Sequence, residues 1–204
     1  EQVGNIDVIV GGPPCQGFSI SGNRDLNDPR NMLYKGFVET VRMFNPRVFV
    51  LENVPNLVSI GQGKIKDAII ADFTKLGYDI KYKVLLASDY GVPQNRRRVI
   101  FVGTKGENTF VFPEPTSNNN KVTSSDAISD LPDKDLEDGS ILTRQARTPY
   151  QEKMRSNDSS IYNHKLTSHD EKTINIISLV PDGGNYKDLP AEYAGSRNVN
   201  IAWT

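Results

Sequence analysis

Short apolar runs alternate with amphipathic stretches over the first half of the chain. The β-branched run at 6–10 and the continuous apolar run at 48–51 predict strands. Apolar residues at helical spacing predict helices, which end at Asn45-Pro46 and at Gly77. The predicted strands are 6–10, 48–51, 78–87 and 98–103, and the predicted helices are 32–44 and 65–76. This order predicts an α/β fold with a mostly parallel sheet, in which strand 48–51 is buried on both faces.

The composition changes after about Gly106. Pro, Ser, Asn and Asp are frequent in segment 113–140, and six acidic residues in 126–138 predict a solvated surface. A capping box at 168–171 predicts the start of another helix. We therefore expect two regions, an α/β domain over 1–106 and a loop-rich region over 107–204.

Composition narrows the class of protein. The 204 residues are 37% hydrophobic, and 24 Lys and Arg against 25 Asp and Glu give a net charge of -1. A globally basic nucleic-acid binder is not indicated, although a local basic patch stays open. No apolar run approaches the ~18 residues of a membrane span. The single cysteine, Cys15, forms no internal disulfide, which favours a reducing compartment and a cytoplasmic location.

Reactive side chains follow two of the predicted strands. Cys15 lies just past the first strand in a Gly-Gly-Pro-Pro-Cys-Gln-Gly-Phe-Ser sequence, and Glu52 lies at the end of the second, before Asn53. The carboxyl ends of strands in an open α/β sheet face the crevice where ligands bind. A third block, 94–98, reads Gln-Asn-Arg-Arg-Arg and precedes the last strand. If it is extended, Arg96 and Arg98 share one face.

These three blocks, in this order and spacing, resemble the motifs of the bacterial cytosine-C5 DNA methyltransferases. The segment 28–34 resembles the block that the family carries between the first two motifs. Segments 163–169 and 183–190 resemble the entry to its target-recognition region. The resemblance implies a partial Rossmann-like methyltransferase sheet with flanking helices, followed by the start of a loop-rich target-recognition region.

The resemblance also implies the chemistry. Cytosine C5 is a poor nucleophile until a thiolate adds at C6, so Cys15 is the expected nucleophile. Glu52 is expected to hydrogen-bond to or protonate N3. Arg98 is expected to reach O2 of the cytosine, and Arg96 to hold Glu52, the cysteine loop or a phosphate. The target base must leave the stack, and loop 19–30 is expected to close over it.

The remaining site residues are likewise implied by the resemblance. Pro14 and Leu33 are expected to touch the cofactor, S-adenosylmethionine. The expected substrate-binding residues are Gln16, Ser19, Asn53 and Gln94, of which Asn53 is expected to brace the cysteine loop. Double-stranded DNA is the expected partner of a monomeric protein that works alongside a cognate restriction endonuclease in a modification system.

Each of these residues also has a purely structural interpretation. A lone loop cysteine is more often unreactive than catalytic, and a glutamate usually caps a helix or lies on the surface. Arg97 is interpreted as solvated, and Gly61-Gln62-Gly63 as a turn. His164 and His169, without nearby cysteines or paired carboxylates, predict no metal site.

Other functions remain open at the level of sequence. One is methylation of a transfer RNA by the RNA-directed branch of the same fold, and another is a non-catalytic nucleic-acid-binding module. The glycine-rich cofactor motif and the final helix motif of the family are not found between Glu1 and Thr204. We therefore expect the chain to be a piece of a longer protein and, in isolation, an incomplete catalytic fragment.

Overall fold

The computed structural model describes residues 4–14, 33–106, 109–117, 120–155, 160–181 and 184–193. The chain folds into two compact units. One unit comprises the chain up to Val92 together with 96–121, and the other comprises 93–95 and the chain from Val122 onward.

The first unit is an α/β layer. Its strands are β1 (Val8–Gly11), β2 (Val48–Asn53), β3 (Asp79–Leu86) and β4 (Arg97–Thr104), and its helices are α1 (Tyr34–Phe44) and α2 (Lys64–Lys75). All six predicted elements are therefore confirmed. Their ends also match the turn signals, since Asn45 closes α1 in the left-handed conformation and Gly77 follows α2 with a φ of 84°.

The sheet order among the described strands is β1-β2-β4-β3, and the prediction of a mostly parallel sheet is wrong. Strand β1 pairs with β2 in parallel, whereas β4 runs antiparallel to both of its neighbours. The connection from β3 to β4 explains this. It spans only 87–96, and parallel neighbours need a crossover of a dozen or more residues.

The core lies between one face of this sheet and the two helices. Phe49 stacks on Phe73 with ring centroids 4.0 Å apart, and Phe37 and Tyr78 meet Phe49 edge-on. Gly103 faces Phe49 on the neighbouring strand, and a Cβ there would overlap the ring. Packing of Phe49 therefore requires a residue without a side chain at 103.

The prediction that strand β2 is buried on both faces is also wrong for the described residues. Along β2, buried residues alternate with half-buried ones, and on the neighbouring β1 the side chains of Val8 and Val10 are 52% and 71% exposed. The reason is that α1 and α2 pack on the same face of the sheet, the face that carries Phe49 and Leu51.

The second unit has short elements joined by loops. They are α3 (Ser124–Ile128), β5 (Ser140–Ile141), α4 (Pro149–Met154), β6 (Ser160–Ile161) and α5 (Glu171–Ser178), and β5 pairs antiparallel with β6. The capping box predicted at 168–171 lies two residues too early. Asp170 is the N-cap of α5, and its carboxylate accepts a 2.7 Å hydrogen bond from the backbone N–H of Thr173.

The acidic run 126–138 is not uniformly solvated. Asp130 is fully buried and forms an ion pair with Arg155, because a charge taken out of water needs a partner. Gln151 is also fully buried, and its amide bridges the backbone N–H of Arg147 and the hydroxyl of Ser129. No helix among the described residues is long and apolar enough to cross a bilayer.

Candidate active site

The ends of β1 and β2 form one edge of the sheet. Because the two strands are parallel and Gly11 pairs with Leu51, the residues that follow Gly11 lie beside Glu52 and Asn53. The Gly-Pro-Pro segment that leads to Cys15 is thus placed against the Glu-Asn pair. The segment before Cys15 and the Glu-Asn pair therefore lie at one edge of the sheet. The presence of the Cys15 thiol at this edge stays a prediction.

Glu52 and Arg98 form an ion pair at this edge. Arg98 Nε lies 2.6 Å from Glu52 Oε1, and both side chains are partly exposed. Strands β2 and β4 bring them together, since Glu52 is paired with Ile100 and Arg98 lies two residues before it on the same face. Arg98 also donates from a terminal guanidinium nitrogen to the carbonyl of Arg97 at 2.7 Å, which fixes the direction of its side chain.

The partner of Glu52 is therefore Arg98. The resemblance implied three alternative roles for Arg96, namely to hold Glu52, the cysteine loop or a phosphate. Strand β4 begins at Arg97, and Arg96 is an exposed residue before it whose carbonyl accepts a 2.9 Å hydrogen bond from the N–H of Ala87. The contact of Arg98 with O2 of the cytosine stays a prediction.

Asn53 is hydrogen-bonded to the segment that precedes Cys15. Its side-chain N–H donates to the carbonyl of Pro13 at 3.1 Å, and its side-chain oxygen accepts the backbone N–H of Val54 at 2.8 Å. The residue is 4% exposed, so its amide serves these protein contacts. The bond to Pro13 holds the main chain two residues before Cys15. The expected bracing of the cysteine loop stays a prediction.

Gly12 is a site residue that the sequence argument missed. A Cβ built on Gly12 would lie 3.2 Å from Glu52 Oε2, which is closer than nearly all such contacts. The second glycine of Gly11-Gly12 therefore leaves room for the Glu52 carboxylate. The signal in the sequence is the Gly-Gly pair directly before the Pro-Pro-Cys motif.

For the other described site residues, the structure gives a position in the chain and an exposure. Pro14 is exposed after Pro13, Leu33 is 46% exposed directly before α1, and Gln94 is exposed two residues before Arg96. Cys15, Gln16, Ser19 and loop 19–30 lie outside the described residues. Their expected roles stay predictions.

No group of three or more His, Cys, Asp and Glu side chains in the described part of the chain could hold a metal ion. His164 lies in the second unit, and its Nε2 is 2.8 Å from the carbonyl oxygen of Pro132. That contact links two loop segments and gives His164 a structural role.

Comparison with known proteins shows the family of this chain. The sequence profile of the family described as "C-5 cytosine-specific DNA methylase" matches residues 1–199, and the chain belongs to this family. It is 37% identical to the type II methyltransferase M.DdeI of Desulfomicrobium norvegicum, over 94% of this chain and 49% of the relative. It is 38% identical to M1.HphI of Haemophilus parahaemolyticus, over 91% and 45% respectively.

A solved structure supports the fold. It is described as a DNA modification methyltransferase encoded within an E. coli prophage, and it matches with a TM-score of 0.64 and 27% identity over 89% of this chain and 57% of that one. The partial Rossmann-like fold implied by the resemblance is confirmed. The chain spans about half the length of the curated relatives that it matches.

Proposed function

We propose that the protein containing this chain methylates C5 of a cytosine in double-stranded DNA, with Cys15 as the nucleophile. The observation that carries the proposal is the Arg98–Glu52 ion pair beside Gly12, at the edge from which the chain continues to Cys15. Cys15 is bonded to Pro14, and consecutive Cα atoms are about 3.8 Å apart. Two adjacent strands thus bring Glu52 and the segment that leads to Cys15 to one edge of the sheet, which supports the proposal.

Each residue has a defined task on a flipped-out cytosine. The Cys15 thiolate adds to C6, and the Glu52 carboxyl group, which takes a proton from solvent when the base binds, passes it to N3, so that the electron pair is held in an enamine that makes C5 nucleophilic. Arg98 keeps the Glu52 carboxyl at N3 and offers its remaining N–H groups toward O2. After methyl transfer, water accepts the C5 proton, the electrons of the C5–H bond form the C5–C6 double bond and expel the Cys15 thiolate, and N3 returns its proton to the Glu52 carboxylate.

The described residues fit one side of an S-adenosylmethionine site. Pro14 and Leu33 present exposed apolar surface at the end of β1 and the start of α1, which suits contact with the cofactor's adenosyl group. When bound, S-adenosylmethionine supplies an electrophilic methyl group to the activated C5. We propose Pro14 and Leu33 as cofactor contacts and Gln16, Ser19 and Gln94 as substrate contacts.

A duplex containing 5-fluorocytosine tests the chemistry in the full-length protein. Fluorine cannot leave as the C5 proton does, so the enzyme is expected to remain covalently attached through Cys15. Cys15→Ser should bind the duplex without forming the adduct. If the protein is only a binding module, neither the unmodified protein nor Cys15→Ser will form the adduct. If Cys15→Ser still methylates DNA, Cys15 is not the nucleophile.

Two further experiments define the substrate and the role of the fragment. Methyl transfer to duplex DNA should exceed transfer to transfer RNA, and the reverse result would favour RNA methylation. Because the chain spans about half the length of its curated relatives, we also propose that the isolated 204 residues are an incomplete catalytic unit. Isothermal titration should show tight S-adenosylmethionine binding by the full-length protein only, and stoichiometric binding by the isolated chain would contradict this.

The setting proposed for the whole protein is a bacterial modification system. The relatives M.DdeI and M1.HphI are named as type II methyltransferases. On this basis we propose a cytoplasmic monomer that shares a recognition sequence with a cognate restriction endonuclease. Genomic DNA protected against one endonuclease after expression of the full-length protein would support this role.

A further inference from the structure

The first turn of α1 is attached to α2 by a carboxylate. Tyr34 OH donates to Asp72 Oδ2 at 3.0 Å, and Lys35 Nζ forms an ion pair with the same oxygen. Asp72 lies in the last half of α2, 37 residues after Lys35. Two consecutive side chains at the start of one helix thus converge on a single acceptor on the other.

The electrostatics favour this contact at neutral pH. Burial, followed by the hydrogen bond to Asp72, raises the pKa of Tyr34, so its hydroxyl stays a donor. Burial alone would raise the pKa of Asp72, but the hydrogen bonds from Lys35 and Tyr34 outweigh it and lower this pKa. The pKa of Lys35 is raised, and the hydrogen bond with Asp72 is the largest cause. A carboxylate therefore meets an ammonium and a neutral phenol.

Among the described residues, the start of α1 has no capping side chain. Leu33 occupies the N-cap position and has no polar side chain to accept a backbone N–H, and no acidic residue lies in the first turn. The rest of α1 is held differently, because Val38 and Val41 are buried in the core. Loss of the Asp72 contact should therefore loosen the first turn and leave the remainder of the helix packed.

The first turn lies at the edge of the sheet that carries the site. Phe37, one turn into α1, packs against the last residue of β1, Gly11, where a Cβ would collide with its ring. Leu33 directly precedes this turn and exposes 46% of its surface. A large apolar side chain is thus presented at the edge where ligands bind.

We propose that Asp72 is a positioning residue, which holds Tyr34 and Lys35 so that Leu33 meets S-adenosylmethionine in one orientation. This inference rests on the proposed function, since it needs a methyltransferase that binds the cofactor at this edge. Asp72 touches no substrate itself and acts through the first turn of α1.

Cofactor affinity of the full-length protein tests the inference. Asp72→Asn keeps an acceptor for Tyr34 and removes the charge that holds Lys35, and Tyr34→Phe removes one hydroxyl. We expect the Kd for S-adenosylmethionine, measured by isothermal titration, to rise about 3- to 10-fold for each. The KM for S-adenosylmethionine should rise equally, whereas kcat and the KM for DNA should stay within about twofold.

Arg42→Ala is the matched control. It removes the exposed Glu39–Arg42 ion pair near the other end of α1 and should leave the Kd unchanged. Unchanged cofactor affinity in Asp72→Asn and Tyr34→Phe, or a parallel loss of affinity for cofactor and DNA, would overturn the inference. If the unmodified full-length protein neither binds S-adenosylmethionine nor methylates DNA, the proposed function itself fails.

Discussion

Arg98 Nε lies 2.6 Å from Glu52 Oε1, so the arginine that follows the first residue of β4 fixes the carboxyl group at the end of β2. The two residues are far apart in sequence and meet because their strands are antiparallel neighbours. This contact distinguishes Arg98 from Arg96 and Arg97.

Removing Arg98 should therefore impair catalysis selectively. In Arg98→Ala the Glu52 carboxyl loses the partner that orients it, and we expect kcat for methyl transfer to fall about 100-fold or more. Arg97→Ala is the control, because this neighbour is exposed on the opposite face of β4 and should retain activity within about twofold. If Arg98→Ala and Arg97→Ala lose equal activity in a methyl-transfer assay, the loss does not come from the contact with Glu52.

The bond from Asn53 to Pro13 should govern adduct formation. Asn53→Asp retains the oxygen that accepts from Val54 but lacks the N–H that donates to Pro13. An unpaired buried carbonyl costs about 1–3 kcal/mol, so we expect trapping on 5-fluorocytosine DNA to slow about tenfold. Asn53→Ala should slow it similarly. Trapping by Asn53→Asp at the unmodified rate would show that the bond to Pro13 does not position Cys15.

Two glycine substitutions should change stability in opposite directions. Gly103→Ala places a methyl group in the Phe49 ring and should destabilise the fold by about 1–3 kcal/mol. Gly36 lies in α1 with open space around it, and Gly36→Ala should stabilise by about 0.5–1 kcal/mol. Urea denaturation measures both. A Gly103→Ala variant as stable as the unmodified protein would contradict the packing of Phe49 against β4.

Tyr78 should make stability fall at high pH. Its hydroxyl donates to the carbonyl of Pro46 at 2.7 Å, and burial raises its pKa above the ordinary value of about 10. Between that value and the raised pKa, the unfolded chain ionises while the folded chain keeps the proton, so the free energy of unfolding decreases as pH rises.

Tyr78→Phe should flatten this decrease, and Tyr34, whose pKa is also raised, should account for part of the remainder. Denaturation curves collected from about pH 8 upward measure the slope. An unchanged slope in Tyr78→Phe would show that this hydroxyl does not contribute. At neutral pH the variant should lose stability, because the Pro46 carbonyl is left without its donor.

Much of the fold was predictable because strands and helices follow local patterns. The period of apolar residues located the helices at Tyr34–Phe44 and Lys64–Lys75 to within two residues, and Asn45-Pro46 and Gly77 marked their ends. Strand pairing was not predictable in this way. The antiparallel placement of β4 depends on partners far away in sequence, so a mostly parallel sheet was the wrong expectation.

The candidate site was also predictable only in part. The sequence by itself determined which residue types stand at the strand ends, since Cys15, Glu52 and Asn53 are part of contiguous motifs whose chemistry can be recognised locally. Only the tertiary structure decided that Arg98 pairs with Glu52, that Gly12 leaves room for its carboxylate and that Asp72 holds the start of α1. These are contacts between residues far apart along the chain, and folding alone brings such residues together.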